Sequence, residues 1–460
     1  MILIQFQSGT LTLSGIDTLP DCLQHLAKPD PRCGNFRARA CDYAPIVLAL
    51  LANGIKFCDQ VRDYAPLTDL HLCMQITPHP HQQQALDAWK KNQCRGIAAL
   101  PTGAGKTILA MLAIAHLQRP ALILVPTIDL LTQWCGVIEK FFHYAPGMLG
   151  GGAREIKPIT VSTYDSALLN IEFIGNRFAL LIADECHHLP SPENRLCAAM
   201  SIAPFRLGLS ATPELNEEYS AVMKELLGDV VCEINISELT GTVLSSYDVV
   251  KIPVELSGDE AAVYARNRAV YTAFLRRWGI NFSHPSDWAD FLIASARYPS
   301  GKEAFQAFLT QRRIARAGKA KLDAVAQILL RHPGESTIIF TADNDAAYEI
   351  GRKFVLPVLT HHTKAAERKD FLDRFRSGEY PILVTSKVLN EGVDVPAAAV
   401  GIVVSGSGSV REHVQRLGRI LRPAPDKPRA VLYELVSANT SEESISERRR
   451  AHNAYRRRSC

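Results

Sequence analysis

The chain has 460 residues, of which 47% are hydrophobic and 21% charged. That composition excludes global disorder and supplies apolar material for more than one core. Lys and Arg number 51 against 47 Asp and Glu, a formal net charge of +4, so the total alone gives no reason to expect a polyanionic partner.

Eleven cysteines, an odd number without Cys-x-x-Cys spacing, argue against a disulfide framework or zinc ribbon and fit a reducing cytoplasm. No apolar run reaches the ~18 residues of a membrane span. The start, Met1 to Gln7, lacks a basic n-region and reads as a strand.

Residues 1–76 form a small α+β unit. Two alternating runs, Ile2 to Gln7 and Thr10 to Leu13, are joined by Ser8-Gly9 and read as a hairpin. A helical pattern from Tyr43 to Leu51 stops at Asn53-Gly54, and Pro78-His79-Pro80 breaks the chain. Residues 77–240 alternate helix-length segments with short apolar runs, among them Gly96 to Leu100, Ala121 to Val125, Ala179 to Ala183 and Leu207 to Leu209. Residues 241–440 repeat the pattern with Ser336 to Phe340, Pro381 to Val384, Ala399 to Val404 and Ala430 to Leu435. Both stretches predict buried parallel sheets, so the fold class is α/β with two such domains in tandem. Residues 259–316 carry Ala, Arg and aromatics at helical spacing and read as a helical insertion. Residues 441–460 read as a basic tail. From Arg411 onward there are 12 basic and 6 acidic residues, against 39 and 41 before it, so the positive charge is concentrated at the end of the chain.

Leu100-Pro-Thr-Gly-Ala-Gly-Lys-Thr107 follows an apolar strand and opens a helix. Gly103 and Gly105 let backbone N–H groups approach phosphate, with Thr102 and Ala104 completing the turn. Lys106 would reach the β- and γ-phosphates of ATP, and the Thr107 hydroxyl would ligate Mg²⁺. Leu100 stands where the strict pattern has Gly. At the end of the run Ala179 to Ala183, Asp184 and Glu185 fall at the carboxyl edge of a parallel sheet, where such folds bind ligands. Asp184 would hold Mg²⁺ and Glu185 would deprotonate the attacking water. A solvated helix cap is the plain alternative for Asp184. Cys186, His187 and His188 are not at zinc-like spacing with further ligands, which favours a coupling role for His187.

Further segments narrow the choice. Ile123-Leu-Val-Pro-Thr127 with Thr132-Gln133-Trp134, then Val161-Ser-Thr-Tyr164, Ser210-Ala-Thr212, Thr385 to Pro396, and Gln415-Arg-Leu-Gly-Arg-Ile-Leu-Arg422 occur in the order found in superfamily 2 helicases. With Asp184-Glu-Cys-His-His-Leu-Pro190 they most resemble XPB-type DNA helicases in their short archaeal and bacterial form. The resemblance runs from about Thr77 to the end. It extends more weakly into the first unit, which sits where that family has a damage-recognition domain; the insertion at 259–316 corresponds to its thumb.

The resemblance implies two RecA-like domains with ATP between them and movement 3′ to 5′ on single-stranded or forked DNA, in DNA repair. It assigns Gln82 to the adenine, Gly392, Asp394 and Gln415 to the nucleotide, and Arg419 and Arg422 to the γ-phosphate, where two-pronged guanidinium groups stabilise developing charge. Ser210 and Thr212 would couple hydrolysis to movement. Thr127, Gln133, Thr163, Thr341, Thr363 and Thr385 are candidate contacts to the nucleic-acid backbone, each with helix capping as its alternative. In the thumb, Arg276-Arg277-Trp278 and Arg312-Arg313 suit either a stacking and electrostatic contact with a strand or a snorkelling surface helix. Leu215, Asn216 and Glu217 stand where the family carries Arg-Glu-Asp, which leaves a duplex-DNA translocase with little strand separation open. So does a scaffold that positions a partner nuclease, for which the basic tail is the docking candidate. RNA as the partner also stays open.

Overall fold

The computed structural model describes residues 1–32, 34–67, 70–73, 76–211, 217–239, 246–282, 287–386, 398–406 and 429–450. The chain divides into two compact units after Glu238.

The first unit opens with a five-stranded sheet: β1 (Ile2–Gln7), β2 (Thr10–Ser14), β3 (Ala27–Asp30), β4 (Asn35–Arg39) and β5 (Phe57–Gln60), in the order β3-β4-β2-β1-β5. Ser8 and Gly9 both have positive φ, +45° and +73°, the backbone of a two-residue turn whose twist matches its strands. Helix α1 (Tyr43–Ala52) closes the sheet, burying Ile46 and Leu50 against Ile4, Leu11 and Leu13. Ile202, from the larger sheet domain, joins this core. The Gly9 N–H donates to the Glu172 carbonyl (3.0 Å), and the Asn176 amide donates to the Val61 carbonyl (2.9 Å). The small domain is therefore packed onto the larger one.

The larger domain carries an eight-stranded sheet. Its strands are β6 (Arg95–Ala99), β7 (Ala121–Val125), β8 (Gly147–Gly150), β9 (Ala153–Arg154), β10 (Ile159–Thr163), β11 (Leu180–Ala183), β12 (Phe205–Ser210) and β13 (Val230–Glu233). They run β13-β6-β12-β11-β7-β10-β8-β9, all pairs parallel except β8 with β9. β7, β10 and β11 are buried along their whole length, which is why they read as unbroken apolar runs rather than alternating ones. The edge pieces β8, β9 and β13 went unpredicted: β8 and β9 are short and joined through Gly151 and Gly152, and β13 alternates weakly.

Arg206 lies inside β12, fully buried. Its guanidinium donates to the carbonyls of Ala203, Leu226, Ala198 and Ser201, at 2.6–3.1 Å. Nothing in the local sequence marks it as a core residue, because its partners are distant backbone. Arg206→Ala is expected to leave those carbonyls without donors and to cost roughly 2–4 kcal/mol, read as a lower midpoint in chemical denaturation at unchanged slope.

The second unit holds a six-stranded parallel sheet. β14 (Ser246–Val254), β15 (Thr337–Phe340), β16 (Val358–Leu359), β17 (Ile382–Thr385), β18 (Val400–Val403) and β19 (Arg429–Ser437) run β14-β19-β18-β15-β17-β16. Between β14 and β15 three helices, Gly258–Arg277, Asp287–Arg297 and Gly301–Ala317, build a small aromatic core around Phe274 and Phe291. The first starts at a capping box of Ser257 with Glu260. Trp278, a candidate from sequence for stacking with a strand, is half-buried and lies flat on Tyr298 at 3.6 Å between ring centres, which covers one face of its ring. Among the described residues no helix is long and apolar enough to cross a membrane.

Candidate functional site

The site is set by which strands of the eight-stranded sheet are neighbours. β6 ends in the phosphate loop, β12 in Ser210 and β11 in Asp184-Glu185, and the sheet places them side by side in the order β6-β12-β11. Parallel pairing brings all three ends to one edge, and the Leu100 N–H donates to the Ser210 carbonyl (2.9 Å), fixing the loop's start.

Helix α3 (Lys106–Leu117) follows the loop directly. Gly103 and Gly105 take φ of +87° and +81°, left-handed values that glycine adopts without strain. Gly105 has a second constraint: a Cβ there would sit 2.2 Å from Nε2 of Gln82. Gln82 lies in helix α2 (Pro80–Lys91), where it is buried, and both ends of its amide are engaged. Its Oε1 accepts from the His79 N–H (2.9 Å), and its Nε2 donates to the Ala104 carbonyl (3.1 Å). His81 Nε2 is 2.8 Å from that same carbonyl. The residue matched by resemblance to adenine recognition is thus placed as a strut behind the phosphate loop. Lys106 Nζ donates to the Leu100 carbonyl (3.3 Å), the Thr102 hydroxyl has no hydrogen-bond partner among the described residues, and Thr107 stands half-buried in the first turn of α3.

Asp184 is buried, and each carboxylate oxygen takes one donor: Oδ2 from Trp134 Nε1 (2.8 Å) and Oδ1 from the Glu185 N–H (3.0 Å). Burial pushes its carboxyl up to about 6, aided by the charge of Glu185 and opposed by Lys106 and the Trp134 N–H. Glu185 holds a left-handed backbone, φ +44° and ψ +51°, which a side chain of its size adopts only at a cost of order 1–3 kcal/mol. Its Oε2 is buried without a hydrogen bond among the described residues. His187 Nδ1 lies 3.5 Å from that oxygen and 3.5 Å from the Ser210 hydroxyl. His187 is thereby a buried bridge between the acid and the end of β12.

Of the candidate backbone contacts, Thr127 and Thr163 are helix caps. Thr127 accepts from the Leu130 N–H (3.3 Å) at the start of α4 (Ile128–Phe142), and Thr163 from the Ser166 N–H (3.2 Å) at the start of α5 (Tyr164–Leu168). Gln133 is half-buried on α4. In the second unit Thr341 and Thr385 are fully buried with their hydroxyls donating to main-chain carbonyls, and Thr363 accepts from the Thr360 N–H (3.0 Å). Thr212, Gly392, Asp394, Gln415, Arg419 and Arg422 lie outside the described residues. Sequence reading missed the grip on Asp184 by Trp134 and by Tyr164, whose hydroxyl donates to the Asp184 carbonyl oxygen (3.1 Å). Both aromatics stood in quoted motifs, but only the fold shows what their polar tips reach.

Comparison with known proteins agrees with this arrangement along the chain. The family model of the Xeroderma pigmentosum group B helicase damage recognition domain matches residues 4–61. That of the type III restriction enzyme res subunit matches residues 75–215, and that of the helicase conserved C-terminal domain residues 320–424. The chain is 40% identical to the DNA 3′-5′ translocase XPB2 of Sulfurisphaera tokodaii over 415 residues, 90% of this chain and 93% of that protein. It is 30% identical to the DNA 3′-5′ helicase XPB of Mycobacterium tuberculosis over 358 residues, 75% of this chain and 58% of that longer protein. Among solved structures, the helicase domain of Pyrococcus furiosus Hef is similar in fold, with a TM-score of 0.55 at 19% identity over 80% of this chain and 98% of that one.

Proposed function

The chain belongs to the XPB family of superfamily 2 DNA helicases, and from that premise we propose that it hydrolyses ATP to move 3′ to 5′ along DNA, in DNA repair. The observation that carries the reading is the shared sheet edge: the phosphate loop, Asp184-Glu185 and Ser210 end adjacent strands, with His187 3.5 Å from both Glu185 and Ser210.

The loop's N–H groups and the start of α3 receive the phosphates, and Lys106 turns from the Leu100 carbonyl to the γ-phosphate. Mg²⁺ fits the oxygen donors offered by Thr107 and Asp184, and among the described residues the buried Thr102 hydroxyl and Glu185 Oε2 have no hydrogen-bond partner. Bound there, the cation would neutralise charge on the phosphate oxygens. Glu185 accepts the proton of the attacking water at Oε2. Arg419 and Arg422 supply guanidinium groups to the γ-phosphate, with Gln415, Gly392 and Asp394 supporting the nucleotide. His187 and Ser210, continuing to Thr212, carry the change at Glu185 to the neighbouring strand. Thr127, Gln133 and Thr163 receive the DNA backbone on the first domain, and Thr341, Thr363 and Thr385 on the second.

Whether motion separates strands turns on residues 215–217, where the family's Arg-Glu-Asp is replaced. ATPase rate across single-stranded, duplex and forked DNA and RNA, with strand release scored on the fork, is the deciding measurement. DNA stimulation with fork opening is the expected outcome. Duplex stimulation without strand release would assign a translocase, and stimulation by RNA alone or by nothing would overturn the proposal.

A further inference from the structure

Two segments that carry candidate strand contacts end on the same carboxylate residue. Gln133 is followed by Trp134, and Thr163 by Tyr164. Both aromatics are buried, at 1% and 3% exposure. The Trp134 indole N–H donates to Asp184 Oδ2 (2.8 Å), and the Tyr164 hydroxyl donates to the Asp184 main-chain oxygen (3.1 Å).

Each aromatic sits where motion of its helix must reach its tip. Trp134 shares the buried face of α4 with Leu131, Cys135, Ile138 and Phe142, so the helix moves as a packed body. Tyr164 is the first residue of α5, directly after the Thr163 cap. A rigid ring buried along its length carries displacement of its backbone to its polar end, and the hydrogen bond there is directional. Side chain and main chain of Asp184 are thus held from two helices, each beginning at a threonine cap.

We propose that Trp134 and Tyr164 are positioning residues that transmit engagement of a nucleic-acid backbone by the neighbouring Gln133 and Thr163 to the orientation of the Asp184 carboxylate. This path is separate from the one through His187 and Ser210, which leaves the site by Glu185. It rests on the proposed function, since it needs a strand at one end and a nucleotide-bound cation at the other.

The test uses Trp134→Phe and Tyr164→Phe in the full chain, which keep the rings and delete the donors. Three readouts are compared with the unaltered protein: the ratio of ATPase with and without single-stranded DNA, the change in DNA affinity caused by a magnesium-bound non-hydrolysable ATP analogue, and affinity for a fluorescent ATP analogue in EDTA. Both of the first two readouts depend on the same link between strand and carboxylate, so they are expected to fall together, while reciprocity proper applies to the binding readout. We expect the stimulation ratio to drop several-fold and the nucleotide-dependent change in DNA affinity to shrink towards none, with metal-free nucleotide affinity within about two-fold. Unchanged ratio and linkage in both variants, or equal loss of ATPase with and without DNA, would overturn the proposal. Tyr164→Phe alone decides it if Trp134→Phe does not fold. Absence of DNA-stimulated ATPase in the unaltered protein would instead defeat the underlying function.

Discussion

Lys106→Ala should reduce DNA-stimulated ATP hydrolysis to background, a loss on the order of 10²–10³-fold or more, the scale of removing one preorganised donor from a site of developing charge. The fold should survive it. Lys106 starts α3 and has a single hydrogen bond among the described residues, to the Leu100 carbonyl at 3.3 Å, and alanine is a strong helix former. The loop's shape is held from behind by Gln82 and His81 and by its own glycines, none of which needs the lysine. DNA binding measured without nucleotide should therefore stay near normal while turnover disappears. Full turnover by the variant would show that the loop is a glycine-rich turn with an incidental lysine. Lys106→Arg should not restore the rate, because a planar, bulkier guanidinium cannot occupy the place of a compact ammonium on a flexible stem.

What could be read from sequence divides by the range of the interaction. The loop from Leu100 to Thr107, the acids after β11 and the buried strands are local patterns, and the structure realises them where composition and spacing put them. The aromatic insertion was legible as helical for the same reason. Contacts made by distant backbone were not legible. Arg206 looks like a surface charge until its four carbonyl partners are assembled. The tie of Gln82 to Ala104 across 22 positions and the stacking of Trp278 on Tyr298 are likewise not announced by the neighbouring sequence. The net charge of +4 was uninformative for a related reason. A site that handles phosphates must place basic groups and carboxylates within a few ångströms of each other, so the total cancels what the local field requires.

Glu185→Gln separates chemistry from binding more finely than the lysine does. The amide matches the carboxylate in size, so the left-handed backbone at φ +44° and the packing around the side chain are preserved. What goes is the basic oxygen. In the wild-type chain Oε2 is buried and accepts no hydrogen bond among the described residues, while Asp184 beside it has a donor on each oxygen. That contrast supports the proposed roles, Asp184 held in place to ligate a cation and Glu185 with an acceptor open to a water proton. Loss of a positioned general base costs typically 10²–10⁴-fold. The expected result is a fall of that size in kcat with affinity for magnesium-bound nucleotide within a few-fold. Because His187 Nδ1 lies 3.5 Å from Glu185 Oε2 and equally far from Ser210, the neutral amide should also weaken the tie between the two strands. ATP-bound protein would then accumulate with its DNA affinity locked in one state, measurable as anisotropy of labelled DNA that no longer cycles on adding ATP. A parallel loss of nucleotide affinity and kcat would instead assign Glu185 to shaping the pocket and return the search for the base to other residues at the same sheet edge.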